Sequence, residues 1–204
     1  MRVGNEHYFT NDPKSEFRPK TIRVELAGRP FQVQTAGGIF SPDHLDRGTE
    51  VLLNQVDAPP NAGVLLDLGC GWGAIALSLA LQSPAAEVWA VDVNERALEL
   101  TRQNAASLGL SNVQTATPEA VPDGLQLSEI WSNPPIRVGK AVLHEMLSRW
   151  LPRLEPGGKA HLVVAKKLGA DSLLTWINET LGRFGAAERT ANDAGFRVLT
   201  FTRS

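Results

Sequence analysis

From residue 64 onward the chain alternates between two hydrophobic periods. VLLDLG (64–69) is a nearly continuous apolar run with branched residues, as a strand buried on both faces requires, and GAIALSLALQS (73–83) reads as a buried helix stopped at Pro84. EVWAVDV (87–93) predicts a second strand. Asn94 then stands where a helix cap belongs, ahead of Ala97, Leu98, Thr101, Ala105 and Leu108 on one helical face, with Gly109 at the C-terminal end. The unit repeats: VQTAT (113–117) and SEIWS (128–132) predict strands, VGKAVLHEMLSRWLPRL carries a helix, and Gly157-Gly158 turns it into AHLVVA (160–165). DSLLTWINETLGRF predicts a further helix, and AAERT and FRVLTFT two short closing strands, joined by about five residues and therefore antiparallel. Strand–helix alternation implies a mainly parallel sheet, because parallel neighbours need crossover connections. The expected fold is α/β: seven strands, helices on both faces, and an antiparallel last strand.

Residues ahead of this core behave differently. TIRVELAGRPFQVQT alternates apolar and polar positions on either side of Gly28-Arg29, which predicts a small β-hairpin laid against the main body. The expected organisation is one domain over 1–204, with a hairpin arm over 1–36, a loop and first helix over 37–56, and the α/β core over 57–204. Composition agrees: 204 residues, 43% of them hydrophobic, bury one core well. Twenty basic against 22 acidic side chains leave a net charge of -2, so contact with a polyanion has to come from a local patch. The lone Cys70 excludes an internal disulfide and a cysteine-based metal cluster, and four scattered histidines have no ligand spacing, so no metal is expected. MRVGNEHYFT lacks an apolar signal core, and the stretch around AIALSLAL is far too short for a membrane span. A cytoplasmic monomer with no membrane contact is the expectation.

The chemistry starts at DLGCGWG, Asp67 to Gly73. Glycines at 69, 71 and 73 sit between a strand and its helix, where missing side chains let backbone amides approach a ligand. With Ala74 the run also satisfies the dinucleotide fingerprint, and Asp92, at the end of the second strand, would hold a ribose diol for either cofactor class. Asp67 discriminates, because a carboxylate there would repel a pyrophosphate and attract the ammonium of an amino-acid-bearing cofactor. That favours S-adenosyl-L-methionine. The second signal is SNPPIRVGK (132–140), at the carboxyl edge of the fourth strand and near the point where ligands of open α/β sheets bind. Pro134 restricts Asn133, and Pro135 restricts Pro134, to extended backbone, and neither offers a competing N–H. The Asn133 side-chain oxygen and the Pro134 carbonyl can therefore hold the two N–H donors of a planar amine with its lone pair aimed at a methyl group.

DLGCGWG, Asp92 and SNPPI together resemble class I S-adenosylmethionine-dependent methyltransferases, whose fold is Rossmann-like. GGIFSPDHLDRGTEVLL, and the run from HYF through GIFS to NPPIRVGK, is similar to compact relatives of the branch that methylates guanine N2 in small-subunit ribosomal RNA. The resemblance covers nearly the whole chain. It implies that Asp67, Gly69 and Gly71 cradle the methionine end of the cofactor and Asp92 the ribose, with Leu68, Cys70, Gly73, Val93, Thr117 and Asn133 also binding the cofactor. It implies that Asn133, Pro134 and Pro135 carry the reaction, that Phe40 to Thr49 closes as a lid with Asp46 near the start of the next helix, and that ribosomal RNA or a ribosomal particle is the partner.

Two departures from that pattern stand out. Ile136 replaces the aromatic residue that many amine methylases place after the prolines, so stacking on a base falls to Phe40. The usual acid after the third strand is replaced by Thr117-Pro118-Glu119. For RNA phosphates the candidates are Arg137 and Lys140 beside the turn, Lys14, Arg18, Lys20, Arg23 and Arg29 in the arm, and Lys166 and Lys167. Trp89, Trp131, Trp150 and Trp176 read as core, with Trp72 in the glycine turn as the one to watch; His144, His161 and Cys70 read as structural. Two other enzymes fit parts of the pattern: a methyltransferase acting on a protein glutamine amide, and a NAD-dependent oxidoreductase, which leaves the Asn-Pro-Pro turn unexplained. A non-catalytic RNA-binding relic would have no use for Asp67, Asp92 and Asn133.

Overall fold

A computed structural model describes residues 18–204; the HYF run and Lys14 lie outside the described residues. β1 (Pro19–Leu26) and β2 (Arg29–Ala36) form a separate antiparallel pair. After a loop and α1 (Arg47–Gln55) come β3 (Val64–Leu68), α2 (Ala74–Gln82), β4 (Glu87–Val91), α3 (Glu95–Ser107), β5 (Val113–Ala116) and β6 (Leu127–Ser132). α4 (Lys140–Trp150), β7 (Leu154–Ala165), α5 (Ala170–Leu181), β8 (Gly185–Asp193) and β9 (Phe196–Arg203) complete the chain. The seven core strands run in the order β5-β4-β3-β6-β7-β9-β8, all parallel except β9, which is antiparallel to both neighbours. The chain builds outward from β3 through β4 and β5, then returns to β6 on the other side of β3. That reversal opens a crevice at the carboxyl ends of β3 and β6.

Three boundaries differ from the sequence reading, each for a backbone reason. The hairpin turns at Ala27-Gly28 instead of Gly28-Arg29, and β8 meets β9 through two residues, Ala194-Gly195, instead of about five. In both turns the two central residues have positive φ (49° and 71°; 48° and 82°), the I′ geometry that matches strand twist. Gly157-Gly158 does not turn a helix into a strand. It lies inside β7, where the register against β6 shifts, and a Cβ on Gly158 would come within 2.9 Å of the Glu155 and Ser128 carbonyls.

The hairpin also explains why α2 is apolar nearly all round. Its inner side meets the sheet, while Ala74 and Leu77 face Val24, Leu26 and Val33 of the hairpin, together with Trp72 and Leu100. Trp72 is thus core and offers no base platform. Asn104 of α3 clamps the arm: its amide accepts from Gln34 N (2.7 Å) and donates to the carbonyls of Gln34 and Trp72 (2.9 Å each). Trp131 and Trp150 are fully buried, Trp89 and Trp176 partly so.

Candidate functional site

β3 ends in the glycine loop, whose polar groups are spent differently from the expectation. The amides of Gly69 and Cys70 both donate to Val91 O (2.8 and 3.1 Å), Gly71 N to Asp92 Oδ2 (3.0 Å), and Gly73 N to Cys70 O (2.9 Å). These four amides are committed within the protein, so the loop presents no row of donors for a pyrophosphate. What it presents is bare backbone. Gly69 and Gly71 have φ of 83° and 56°, and a Cβ on either would meet nothing within 4 Å, because both face the open crevice. A glycine cradle without spare donors fits the uncharged and cationic parts of S-adenosyl-L-methionine better than a dinucleotide. Gly73 does not line the crevice. Its Cβ would strike Thr101 at 2.9 Å, so it is a glycine of helix packing.

Asp67 also requires correction. Its carboxylate is fully buried behind the loop, accepting Ala76 N (2.9 Å) at the start of α2 with Oδ2 and leaving Oδ1 without a protein partner. Burial pushes its pKa up to about 8, with the nearby Asp92 adding to the effect. A protonated, enclosed carboxyl neither repels a pyrophosphate nor reaches an ammonium across open space. Asp92 is better placed: it lines the crevice, its two oxygens accept from Gly71 N and Asn94 N (3.0 and 2.9 Å), and burial raises its pKa. Cys70 is buried with its thiol pushed up by the same desolvation, inert in character.

The crevice is a cavity of about 640 Å³, within the usual range for cofactor sites. It is lined by Leu68, Gly69, Gly71, Asp92 and Val93 from the β3 and β4 ends, by Asn133, Pro134, Pro135 and Ile136 of the turn, by Val163, Ala165, Lys167 and Phe196, and by Phe40. Thr117 does not line it. Thr117 instead precedes a single 3-10 turn whose Pro118 and Glu119 reach the cavity, with Arg149 donating to Pro118 O (2.6 Å) and pairing with Glu119. Lys140 stands exposed at the N-terminus of α4, beside the cavity and not in it, and Lys166 is likewise outside. Arg137 belongs to the 3-10 turn Ile136–Val138, and its side chain lies outside what the structure describes. In the arm, Lys20 pairs with Asp43 and Arg29 lies over Phe31.

The turn itself is stiffer than two prolines alone would make it. Pro135 (φ -74°, ψ 74°) is the centre of an inverse γ-turn in which Pro134 O accepts from Ile136 N at 2.8 Å. One lone pair of that carbonyl is thereby occupied and one remains. Ser132 Oγ donates to Leu68 O (2.6 Å), tying β6 to β3 at the reversal point. Asn133 Nδ2 donates to Asp46 Oδ2 (2.7 Å) and Thr49 Oγ1 (3.1 Å). A carboxylate can only accept, so the amide nitrogen is the atom facing Asp46, and the amide oxygen is left for the cavity. Asp46 also caps α1, accepting from Gly48 N (2.7 Å) and Thr49 N (3.1 Å). The Phe40–Thr49 segment lies against the glycine loop, with Phe40, Leu45, Asp46 and Thr49 beside Gly69, Gly71 and Trp72, and its near end is held by Asn94 and Arg96 on the carbonyls of Gly38 and Gly37 (2.9 Å each).

The sequence reading missed Phe196 and the contacts of Asp46 and Thr49 with Asn133. Phe196 opens the last strand and is indistinguishable from a core position by period alone. The run Asp46-Arg47-Gly48-Thr49 did carry a helix-cap signal, although not its second partner.

Residues 30–200 match the model of the methyltransferase small domain family. This chain belongs to that family. The methyltransferase small domain carries with it the Rossmann-like fold and S-adenosyl-L-methionine as cofactor, and the chain is an S-adenosylmethionine-dependent methyltransferase. Among similar proteins, the uncharacterized protein YbxB of Bacillus subtilis (strain 168) is 31% identical over 91% of this chain and 94% of its own length. Ribosomal RNA small subunit methyltransferase C of Pseudomonas aeruginosa (strain LESB58) is 34% identical over 89% of this chain and 54% of its own. The structure of the Thermus thermophilus 16S rRNA N2 methyltransferase RsmC, in complex with AdoMet and guanosine, superposes with a TM-score of 0.77 at 25% identity, over 95% of this chain and 52% of that one. The chain thus spans about half the length of these ribosomal methyltransferases and nearly all of the compact Bacillus protein.

Proposed function

We propose that this methyltransferase transfers a methyl group to the exocyclic N2 amine of a guanine in small-subunit ribosomal RNA. The observation that carries the reading is the Asn133 amide, whose nitrogen is held by Asp46 and Thr49 so that its oxygen is left to accept, in a cavity lined also by the bare glycine loop and Asp92. The cofactor supplies the methyl group on a sulfonium, already activated. Gly69 and Gly71 would admit the methionine end close to the backbone, and Asp92 would accept from the ribose hydroxyls. Asn133 Oδ1 and the open lone pair of Pro134 O accept the two N–H donors of the target amine, holding its lone pair along the line of attack. Both acceptors would stabilise the positive charge that develops on the target nitrogen as it takes up the methyl group, and the surplus proton would leave to water.

Phe40 and Phe196, both lining the cavity, and Ile136 supply apolar faces for a base drawn out of its stack. That favours a nucleobase over a glutamine side chain, which presents the same planar NH2 but no ring to cover. The names of the ribosomal relatives point the same way. Lys167 at the rim and Lys140 beside the turn are placed for RNA phosphates. The test is mass mapping of modified nucleosides in small-subunit ribosomal RNA from cells with and without the protein. Loss of one N2-methylguanosine is the expected result; unchanged ribosomal RNA with a lost methylglutamine would give the site to a protein.

A further inference from the structure

We propose that Asp46 is a positioning residue for methyl transfer, acting through Asn133: it decides which end of the Asn133 amide meets the substrate. The proposal rests on the function given above. A primary amide has two nearly isosteric ends of opposite hydrogen-bonding character. With the oxygen toward the cavity Asn133 accepts from an amine; with the nitrogen there it would confront the amine's donors with two more. Nothing in the Asn-Pro-Pro turn chooses between these states, since proline restrains the backbone and not the side-chain torsion. The choice is made 87 residues away in sequence, by one half-buried oxygen, Asp46 Oδ2, which lies 2.7 Å from Asn133 Nδ2, with Thr49 Oγ1 as a second acceptor at 3.1 Å.

Several features show that the contact is built in. Asp46 Oδ2 is itself fixed by two backbone donors at the N-terminus of α1, Gly48 N and Thr49 N. Gly48 leaves the room this contact needs: a Cβ there would lie 3.0 Å from Asp46 Oδ2 and Phe196 Cε1 and 3.3 Å from Asn133 Nδ2. The loop that delivers Asp46 also covers the glycine loop, so the segment over the cofactor side orients the acceptor on the substrate side.

Two substitutions separate this role from helix capping. Asp46→Asn keeps the cap and an oxygen of the same reach. Asp46→Ser keeps the cap with a side chain too short to reach Asn133. With tritiated S-adenosyl-L-methionine and an unmodified small-subunit ribosomal RNA transcript, Asp46→Ser is expected to lower the single-turnover rate by about tenfold or more, with the cofactor Kd within about twofold and the melting temperature little changed. Asp46→Asn is expected to lose no more than about threefold by the same argument. An undiminished rate in Asp46→Ser, or equal losses in both variants, would overturn the proposal. The side-chain NH2 signals of Asn133 in 15N spectra, assigned by their loss in Asn133→Ala, give a readout independent of substrate. They are expected to exchange slowly with water in the native protein and in Asp46→Asn, and to shift and exchange faster in Asp46→Ser. Unaltered signals in Asp46→Ser reject the role of Asp46. A native protein inactive on RNA with the signals altered as expected rejects the RNA reading alone.

Discussion

The two turns that meet in the crevice are built on opposite principles. The glycine loop after β3 is closed by its own neighbourhood: its amides bond to Val91, Asp92 and Cys70, and its conformation follows from glycines at positive φ. The Asn-Pro-Pro turn after β6 has a stiff backbone of local origin, but its Asn133 side chain is held by a different part of the chain, Asp46 and Thr49 at the start of α1. A cofactor that always presents the same shape suits a site of fixed backbone. In the proposed mechanism the amine that takes up the methyl group needs a hydrogen-bond acceptor in one particular place, and a side chain pinned from outside would supply it.

Substitutions on the two sides should therefore fail in different quantities. On the proposed mechanism Asn133→Ala removes an acceptor used in the transition state, and a loss of about a hundredfold or more in transfer rate is expected, with cofactor affinity within a few-fold. Calorimetry with S-adenosyl-L-methionine beside tritium transfer to ribosomal RNA measures both; an unchanged rate removes Asn133 from the mechanism. Asp92→Ala should do the reverse, weakening cofactor binding by about 1–3 kcal/mol, because the ribose loses its acceptor and Gly71 N its anchor. Equal affinities would place the ribose elsewhere.

A further contrast is one of pH. The Asp67 carboxyl holds its proton in the folded protein up to about 8, against an ordinary value of 3.8 when the chain unfolds. Between those values the folded state binds the extra proton, so this contribution to stability is fully present below the lower value and is lost as pH rises toward the upper one. The slope is at most about 1.4 kcal/mol per pH unit. Urea denaturation at pH 5 to 8 should show stability falling in the native protein and a flatter profile in Asp67→Asn. A slope that survives Asp67→Asn would move the effect to Asp92, whose burial acts in the same direction.

Much of the fold was legible in the chain itself. The alternation of strand and helix periods, the Asn94 cap confirmed by its bond to Arg96 N (3.0 Å), and the reversed last strand all follow from local pattern. The hairpin was legible too, with its turn displaced by one residue. Asp67 was legible as an acid in the right run but not as a buried one. Nothing in DLGCGWG says that α2 and the sheet will close over its carboxylate, or that the loop amides will be spent on β4. Phe196 could not be told from a core phenylalanine, because the crevice wall it joins comes from strands far apart in sequence.

By itself the sequence determined the periods, the positive-φ glycines and the rigid imide turn, since each depends on torsions and side chains within a few residues. Tertiary structure alone decided which carboxyl is enclosed, which amides remain to meet a ligand, and which end of Asn133 looks into the crevice. Those are outcomes of hydrogen-bond competition and desolvation between segments as much as 87 residues apart, and neither is written in any local pattern.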